Sequence, residues 1–381
     1  MVFNKVVLIM QYITTTLANT LANTLVSTRI PKSSKKKIRL SSARKLLIIQ
    51  PQMIGDTLVT LPTVHAIKQH NPSLQIDIIT SNESLELCKL IPWINKKFIF
   101  PPSASLGKLI KDIRQENYDV IIDFQFTYIS WFRLLLSPLS NAPIRLHGKR
   151  GGFRGLFPTH EFTWKRLPEP EQFMEAAKIM GIENKPTLIV EYQQKDNLWA
   201  QSNFKSPYII IHANNKNPEK RYTGEGFAQV ADELSKKGYT ILFTGAEPDK
   251  TYVKKICLRM KKPSIDLCGK TTLSQFIALI KHAHLLVAVD TSAVHIAAAT
   301  NTPTIALYGP TNPEFWYPYN KKCQVALHAD PCCKPWFEDD FNKLVYFEKC
   351  KLGKNICIRR IPPSQIISIA SKLLKKKKIL K

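Results

Sequence analysis

The stretch KLLIIQPQMIGDTLVTLPTVHAIKQHNPSLQIDIIT, residues 45–80, decides the fold. Its two apolar runs, Lys45 to Gln50 and Gln75 to Thr80, are continuous rather than alternating, the mark of strands covered on both faces of a parallel sheet. A helix-length segment from Thr57 to His70 separates them. Strand, helix, parallel strand is the repeating unit of α/β architecture. The rhythm continues with strands predicted at 96–100, 119–124 and 143–148 and helices at 84–91, 105–117 and 127–136. A mostly polar stretch, 182–207, reads as a linker. Beyond it lie strands at 208–213, 239–245, 264–269, 284–290 and 303–309, with helices near 224–237, 249–261, 272–282 and 292–300. The expectation is two consecutive doubly wound domains, 45–190 and 191–361, followed by a closing helix and basic tail at 362–381.

Composition bounds the function. A chain of 381 residues with 44% hydrophobic content is too apolar for disorder and long enough for two ordinary domains. Its 55 Lys and Arg against 29 Asp and Glu give a net charge of +26, which calls for an anionic partner: nucleic acid, a membrane surface or a phosphorylated substrate. A nucleic-acid binder would carry aromatic residues interleaved with its basic patches, or a nucleic-acid module, and neither is found. Eight cysteines without a signal-peptide cleavage pattern read as reduced thiols of a cytoplasmic protein. A zinc module would draw on Cys332, Cys333, Cys350 and Cys357, which lack CxxC spacing, so no metal site is expected.

The first 44 residues are read as an extension and basic linker. Val6 to Thr28 carries no charge but too many Thr, Asn and Gln residues for a membrane span. Leu17, Leu21 and Leu25 form one narrow apolar stripe that fits a membrane surface or a partner, beside the simpler reading of a poorly ordered extension. Pro31 to Arg44 has too few apolar residues to pack, which puts the start of the folded chain near Lys45.

In open parallel sheets ligands bind beyond the carboxyl ends of the strands, so the loops after each run hold the candidate site. After the first strand Gly55 permits a tight turn and Asp56 stands at the strand-to-helix corner, where an acidic residue is also the preferred cap. No GxGxxG follows, so the usual dinucleotide fingerprint is absent. After the strand at 208–213 comes Asn214-Asn215-Lys216-Asn217-Pro218-Glu219-Lys220-Arg221, whose three cations ahead of a helix suit a diphosphate. Asp249 follows the next strand, placed to accept hydrogen bonds from ribose hydroxyls. Asp290-Thr291-Ser292, with His295 one turn further, puts a carboxylate and two hydroxyls at a strand end and helix start.

In order and spacing these pieces resemble the ADP-heptose:lipopolysaccharide heptosyltransferases, family nine of the glycosyltransferases. The residues that carry the resemblance are 45–72, 209–234, 267–313 and the closing CIRRIPPSQII, so it spans about Lys45 to Leu373. Four motifs in one order are far more specific than any one. Three features depart from the family's pattern: Tyr222 stands for its usual Trp, Ser292 and Ala293 for a Gly followed by Pro or Leu, and Asn214 and Asn215 for hydroxyl residues.

The resemblance implies a GT-B fold of two Rossmann-like domains facing a cleft, with the last helix crossing back to the first domain. It implies that the first half binds the acceptor, the inner core of lipopolysaccharide, and the second half ADP-heptose. It also implies transfer with inversion and without a cofactor. Carried over residue by residue, the general base falls on Asp56, the phosphate cation on Lys220, the ribose acid on Asp249 and the donor-sugar acid on Asp290. Asn214, Asn215, Thr291, Ser292 and His295 complete the expected donor site. A membrane-linked acceptor further implies a peripheral enzyme on the inner face of the inner membrane, drawn there by three cationic clusters. These are Lys35, Lys36, Lys37 and Arg39; Lys149, Arg150 and Arg154; and the run from Lys372 to Lys381. The alternatives are a GT-B enzyme using another nucleotide sugar and, in a different class, a basic nucleic-acid-binding protein.

Overall fold

Two six-stranded parallel sheets organise the computed structural model, which describes residues 37–100, 106–125, 136–137, 139–149, 158–319, 324–328 and 356–379. The first sheet contains β1 (Lys45–Gln50), β2 (Gln75–Thr80), β3 (Ile94–Ile99), β4 (Val120–Asp123), β5 (Ile144–Gly148) and β6 (His160–Phe162), in the spatial order β3-β2-β1-β4-β5-β6. The second repeats the pattern with β7 (Tyr208–His212), β8 (Thr240–Phe243), β9 (Ile265–Asp266), β10 (Leu285–Val289), β11 (Thr304–Tyr308) and β12 (Gln324–His328), in the order β12-β11-β10-β7-β8-β9. Both sheets reverse direction beside their first strand, β1 against β4 and β7 against β10, which creates two crevices at the carboxyl ends.

The strand sequences explain the centre of each sheet. Leu46 to Ile49 are wholly buried, in register with Ile76 to Ile79 on one side and Val120 to Asp123 on the other, so every side chain meets a covering helix. The covering helices are α1 (Ile54–His70), α2 (Asn82–Leu90), α3 (Leu106–Glu116) and α4 (Glu169–Lys178) in the first half. The second half has α5 (Gln194–Asn203), α6 (Gly224–Ser235), α7 (Lys250–Cys257), α8 (Leu273–His282), α9 (Ser292–Ala299), α10 (Pro313–Trp316), α11 (Ile356–Arg359) and α12 (Pro363–Ile379). Ser81, Thr223 and Thr272 each accept a backbone N–H bond at a helix start, the preferred chemistry there.

Four expectations change. The packed chain already includes Ile38, ahead of the expected start at Lys45: Ile38, Leu40 and Ala43 are buried, and Ile38 N–H donates to the Ile179 carbonyl at 3.0 Å. Alternate residues of the basic segment face inward while Lys37 and Arg39 stay exposed, and three apolar contacts suffice to anchor it. The supposed linker contains α5, which buries Asp196 and Ala200. Two short strands, β6 and β12, extend the sheets beyond the predicted ones. The closing helix α12, expected to cross back, buries Ile366, Ala370 and Leu374 in one cluster with Val230 of α6, Val287 of β10 and Ile305 of β11. The helix expected at 127–136, all but its last residue, lies outside the described residues, as do the N-terminal leucine stripe and Cys332, Cys333 and Cys350. Cys357, on α11, is buried.

A single buried cluster runs from β1 and α1 through α9 to β10, joining the two halves. Polar contacts flank it. Lys216 Nζ lies 3.6 Å from Glu83, Arg166 lies 3.5 Å from Glu314, and Tyr319 Oη donates to Glu171 at 2.7 Å.

Candidate functional site

The amino ends of α1 and α9 meet where the two crevices face each other. A Cβ built on Gly55 would stand 3.9 Å from the His295 ring and from the Ser292 backbone, ordinary contact between one half and the other. Asp56 follows Gly55 in the first turn of α1, and its Oδ2 accepts the Met53 N–H at 3.2 Å. The capping role and the cleft position coexist, because apart from Met53 no other described residue hydrogen-bonds the Asp56 carboxyl. Burial pushes the Asp56 carboxyl up to about 6; the Met53 N–H and Lys220 pull it down, and Asp290 raises it.

Across the cleft, Asp290 leaves the end of β10 and Lys220 leaves the loop after β7, and they pair at 2.7 Å. The Asp290 side chain is 7% exposed and that of Lys220 25%. Burial alone would raise the Asp290 carboxyl; the Lys220 charge and hydrogen bond, helped by Thr311 and His295, outweigh it and hold the group below the usual carboxylate range. The Asn215 amide donates to the Asp290 carbonyl at 2.5 Å, tying the β7 loop to the β10 end. Asn214 donates through Nδ2 to Asp249 Oδ1, while Asp249 Oδ2 accepts the Ala246 N–H at 2.8 Å. A Cβ on Gly245 would come within 2.9 Å of the Asp249 side chain, so glycine lets the end of β8 close on this carboxylate.

Three buried polar atoms here lack a partner: Asn214 Oδ1, Thr291 Oγ1 and His295 Nδ1. Burial pushes His295 down to about 4, so the ring is neutral near pH 7, although Asp290 opposes the shift. Buried polar atoms are satisfied in the great majority of cases, and three orphans on one wall are the signature of a surface shaped for a polar ligand.

All the residues predicted from the strand ends therefore gather at one junction, Asp56 on one side and Asn214, Asn215, Lys220, Asp249, Asp290, Thr291, Ser292 and His295 on the other. The sequence reading treated Lys220 and Asp290 as separate contacts; the fold makes them an ion pair. The strand-end rule does not reach Thr311, three residues beyond β11, which hydrogen-bonds the Asp290 carboxyl. Among the described residues no group of three His, Cys, Asp or Glu side chains is arranged to hold a metal ion.

The sequence model of glycosyltransferase family 9 (heptosyltransferase) matches residues 106–344. The chain belongs to glycosyltransferase family 9. Its relatives agree. It is 27% identical over 287 residues to lipopolysaccharide heptosyltransferase 3 of Escherichia coli K12, covering 70% of this chain and 83% of that one. It is 25% identical over 344 residues to lipooligosaccharide heptosyltransferase 2 of Campylobacter jejuni, covering 87% and 98%. The solved structure of E. coli ADP-heptose lipopolysaccharide heptosyltransferase II superposes with a TM-score of 0.72 at 20% identity, over 88% of this chain and 99% of the other, and shares the GT-B fold. The protein is thus a family 9 glycosyltransferase with two Rossmann-like sheets. The family match includes the Asn214 to His295 wall but begins after Asp56, whose place at the junction rests on the fold alone.

Proposed function

We propose that this enzyme transfers heptose from ADP-heptose to the inner core of lipopolysaccharide by a single inverting displacement. The observation that supports this most is the placement of the Asp56 carboxyl, bonded by no other described residue than Met53, opposite a wall holding a cation and three orphaned polar atoms. In the reaction the acceptor oxygen forms a bond to the anomeric carbon while the bond from that carbon to the ADP β-phosphate oxygen breaks. The hydroxyl proton passes to Asp56, and the electron pair of the broken bond leaves on ADP. Lys220, the hydroxyls of Thr291 and Ser292, and the amino end of α9 offset the charge growing on the diphosphate. Asp249 takes the ribose hydroxyls and Asp290 and His295 the donor sugar, while Asn214 holds the Asp249 carboxylate and Asn215 the main chain of Asp290.

The test is to incubate the purified protein with ADP-heptose and a panel of truncated cores, with and without EDTA, and to read product mass and anomeric configuration. We expect one added heptose, inverted, at equal rates with and without the chelator, since protein cations neutralise the diphosphate. Absence of ADP release with every core would remove this reading, and turnover with a different ADP- or UDP-sugar would replace the donor. Loss of activity in EDTA, restored by magnesium or manganese, would overturn the metal-free mechanism.

A lipid-linked acceptor requires the enzyme to visit the inner face of the inner membrane, and we assign that contact to the exposed cations. Lys37, Arg39, Lys149, Lys372 and Lys375 are exposed, the last two on α12, and no described helix is long and apolar enough to cross a membrane. Each cation near an anionic surface contributes about 1 kcal/mol, so several together give reversible binding. Cosedimentation with anionic vesicles is expected, weakening as salt rises, with none on zwitterionic vesicles. Equal binding to both at all salt concentrations would contradict the electrostatic account.

A further inference from the structure

Lys220 and Thr311 bond the Asp290 carboxyl from two different loops, one after β7 and one after β11. The two loops meet at Gly309. A Cβ built there would stand 3.3 Å from the carbonyl oxygen of Glu219, the residue before Lys220, and 3.1 Å from the Cβ of Ile358 on α11. Both separations are shorter than a comfortable carbon contact, so glycine lets the three segments close on one another without displacing any of them. Ile358 is wholly buried at this junction.

Two residues past Lys220, Tyr222 fastens the same loop to the same C-terminal segment. It is buried, and its Oη donates at 2.6 Å to the carbonyl of Ile361, 139 positions away, between α11 and α12. Its own carbonyl accepts the Tyr252 hydroxyl of α7 at 2.9 Å, and its ring meets Phe227 of α6 edge-on at 5.1 Å. A Cβ on Gly226 would fall 2.5 Å from the Tyr222 ring, so glycine in the first turn of α6 makes room for it. The residue between, Arg221, donates through Nε to the Asn215 carbonyl at 2.9 Å, which closes the loop on itself. Lys220 is thus held from both sides, by Glu219 against Gly309 and Ile358 and by Tyr222 against Ile361. The ring fills an apolar cluster with Phe227, Val230, Ile366 and Ala370, where phenylalanine would serve as well. What the hydroxyl adds is a single directed bond, which fixes where the loop sits.

We propose that Tyr222 is a positioning residue of the donor site: its bond to Ile361 fixes the loop that carries Lys220 on the C-terminal segment, and so sets the Lys220 ammonium where the diphosphate binds. The inference rests on the reading of Lys220 as the donor cation. A loop held in this way is in its binding geometry before the nucleotide arrives, whereas a loosened loop binds only in proportion to the time it spends there. The segment from Ile356 to Ile361 is therefore part of the donor site without touching the donor.

Tyr222→Phe tests this, with Tyr208→Phe as its control. Tyr208 is buried and its Oη donates to the Leu279 carbonyl at 2.8 Å, so the control loses the same kind of bond in the same sheet layer. It opens β7, at the end of the strand opposite the Lys220 loop. Calorimetry should find ADP bound roughly three- to tenfold more weakly by Tyr222→Phe, the worth of one hydrogen bond, and unchanged by Tyr208→Phe. The donor KM should rise in proportion while the core KM stays constant. Added to Lys220→Ala, Tyr222→Phe should cost no further affinity, since it acts through the cation. Wild-type ADP affinity in Tyr222→Phe, an equal loss in Tyr208→Phe, or a full further loss in the double variant overturns the proposal. A second readout needs no nucleotide. The Lys220 amine reacts with acetic anhydride only when it leaves the Asp290 carboxylate, so mass analysis should find it labelled severalfold faster in Tyr222→Phe than in the wild type, with the exposed Lys237 as the reference. Should the wild type bind no ADP, the donor reading fails separately, and this labelling decides whether Tyr222 sets the position of Lys220. Faster labelling confined to Tyr222→Phe supports it, and equal labelling in the wild type and both variants overturns it.

Discussion

Asp56→Asn should lower transfer by about 10² to 10⁴-fold, the usual contribution of a positioned general base, while ADP affinity stays close to that of the wild type. The substitution is conservative in shape. An Asn oxygen still accepts the Met53 N–H that Asp56 takes at 3.2 Å, so the first turn of α1 keeps its cap. What is lost is the ability to take a proton, and that is needed only as the acceptor attacks. The same residue sets the acid limb of the pH profile. A base acts when ionised, and burial places the Asp56 carboxyl near 6, so kcat/KM should fall tenfold per unit as the pH drops well below 6. Steady-state rates from pH 5 to 8, with single-turnover measurements on the variant, test both statements. Undiminished transfer by Asp56→Asn, or an acid limb far below 6, would exclude Asp56 as the base.

The sequence revealed what burial on two faces forces it to reveal. Continuous apolar runs such as KLLIIQ and LLVAV have to be central parallel strands, because any polar residue there would lie beneath a helix. Once those strands are placed, the strand-end rule puts Asp56, Asn214, Asp249 and Asp290 at the crevices without further information. The misses have the opposite physics. β6 and β12 lie at sheet edges and are short, so His160, Glu161 and Gln324 do not spoil them but do hide them. α5 buries so little that its sequence, QKDNLWAQSN, reads as solvent-exposed loop. The inward side of α12 is legible as a stripe, Ile366, Ala370 and Leu374, but a stripe does not say which sheet it covers. The Lys220–Asp290 pair joins residues 70 positions apart, beyond any local pattern.

That ion pair changes what removing the cation should do. Lys220→Ala is expected to weaken ADP binding by about 10²-fold and to slow turnover as well. Breaking a buried pair by deleting one partner costs about 3 to 5 kcal/mol, and the quarter exposure of Lys220 places this case at or below the lower end. Two separate losses contribute: the diphosphate forfeits a cation, and Asp290 becomes an unpaired carboxylate facing an anionic ligand. They can be separated. Without Lys220 the Asp290 carboxyl rises from its depressed value, since the Lys220 charge and hydrogen bond were what outweighed burial. Lowering the pH should then protonate it and recover part of the ADP affinity in the variant. Adding Asp290→Asn removes the same charge at all pH values, so calorimetry should find that the double variant binds ADP more tightly than Lys220→Ala alone, a non-additive cycle. Strict additivity would mean that Lys220 meets the diphosphate independently of Asp290. Wild-type ADP affinity in Lys220→Ala would take the cation out of the donor site and leave the charge on the diphosphate to be offset by α9 and the hydroxyls of Thr291 and Ser292.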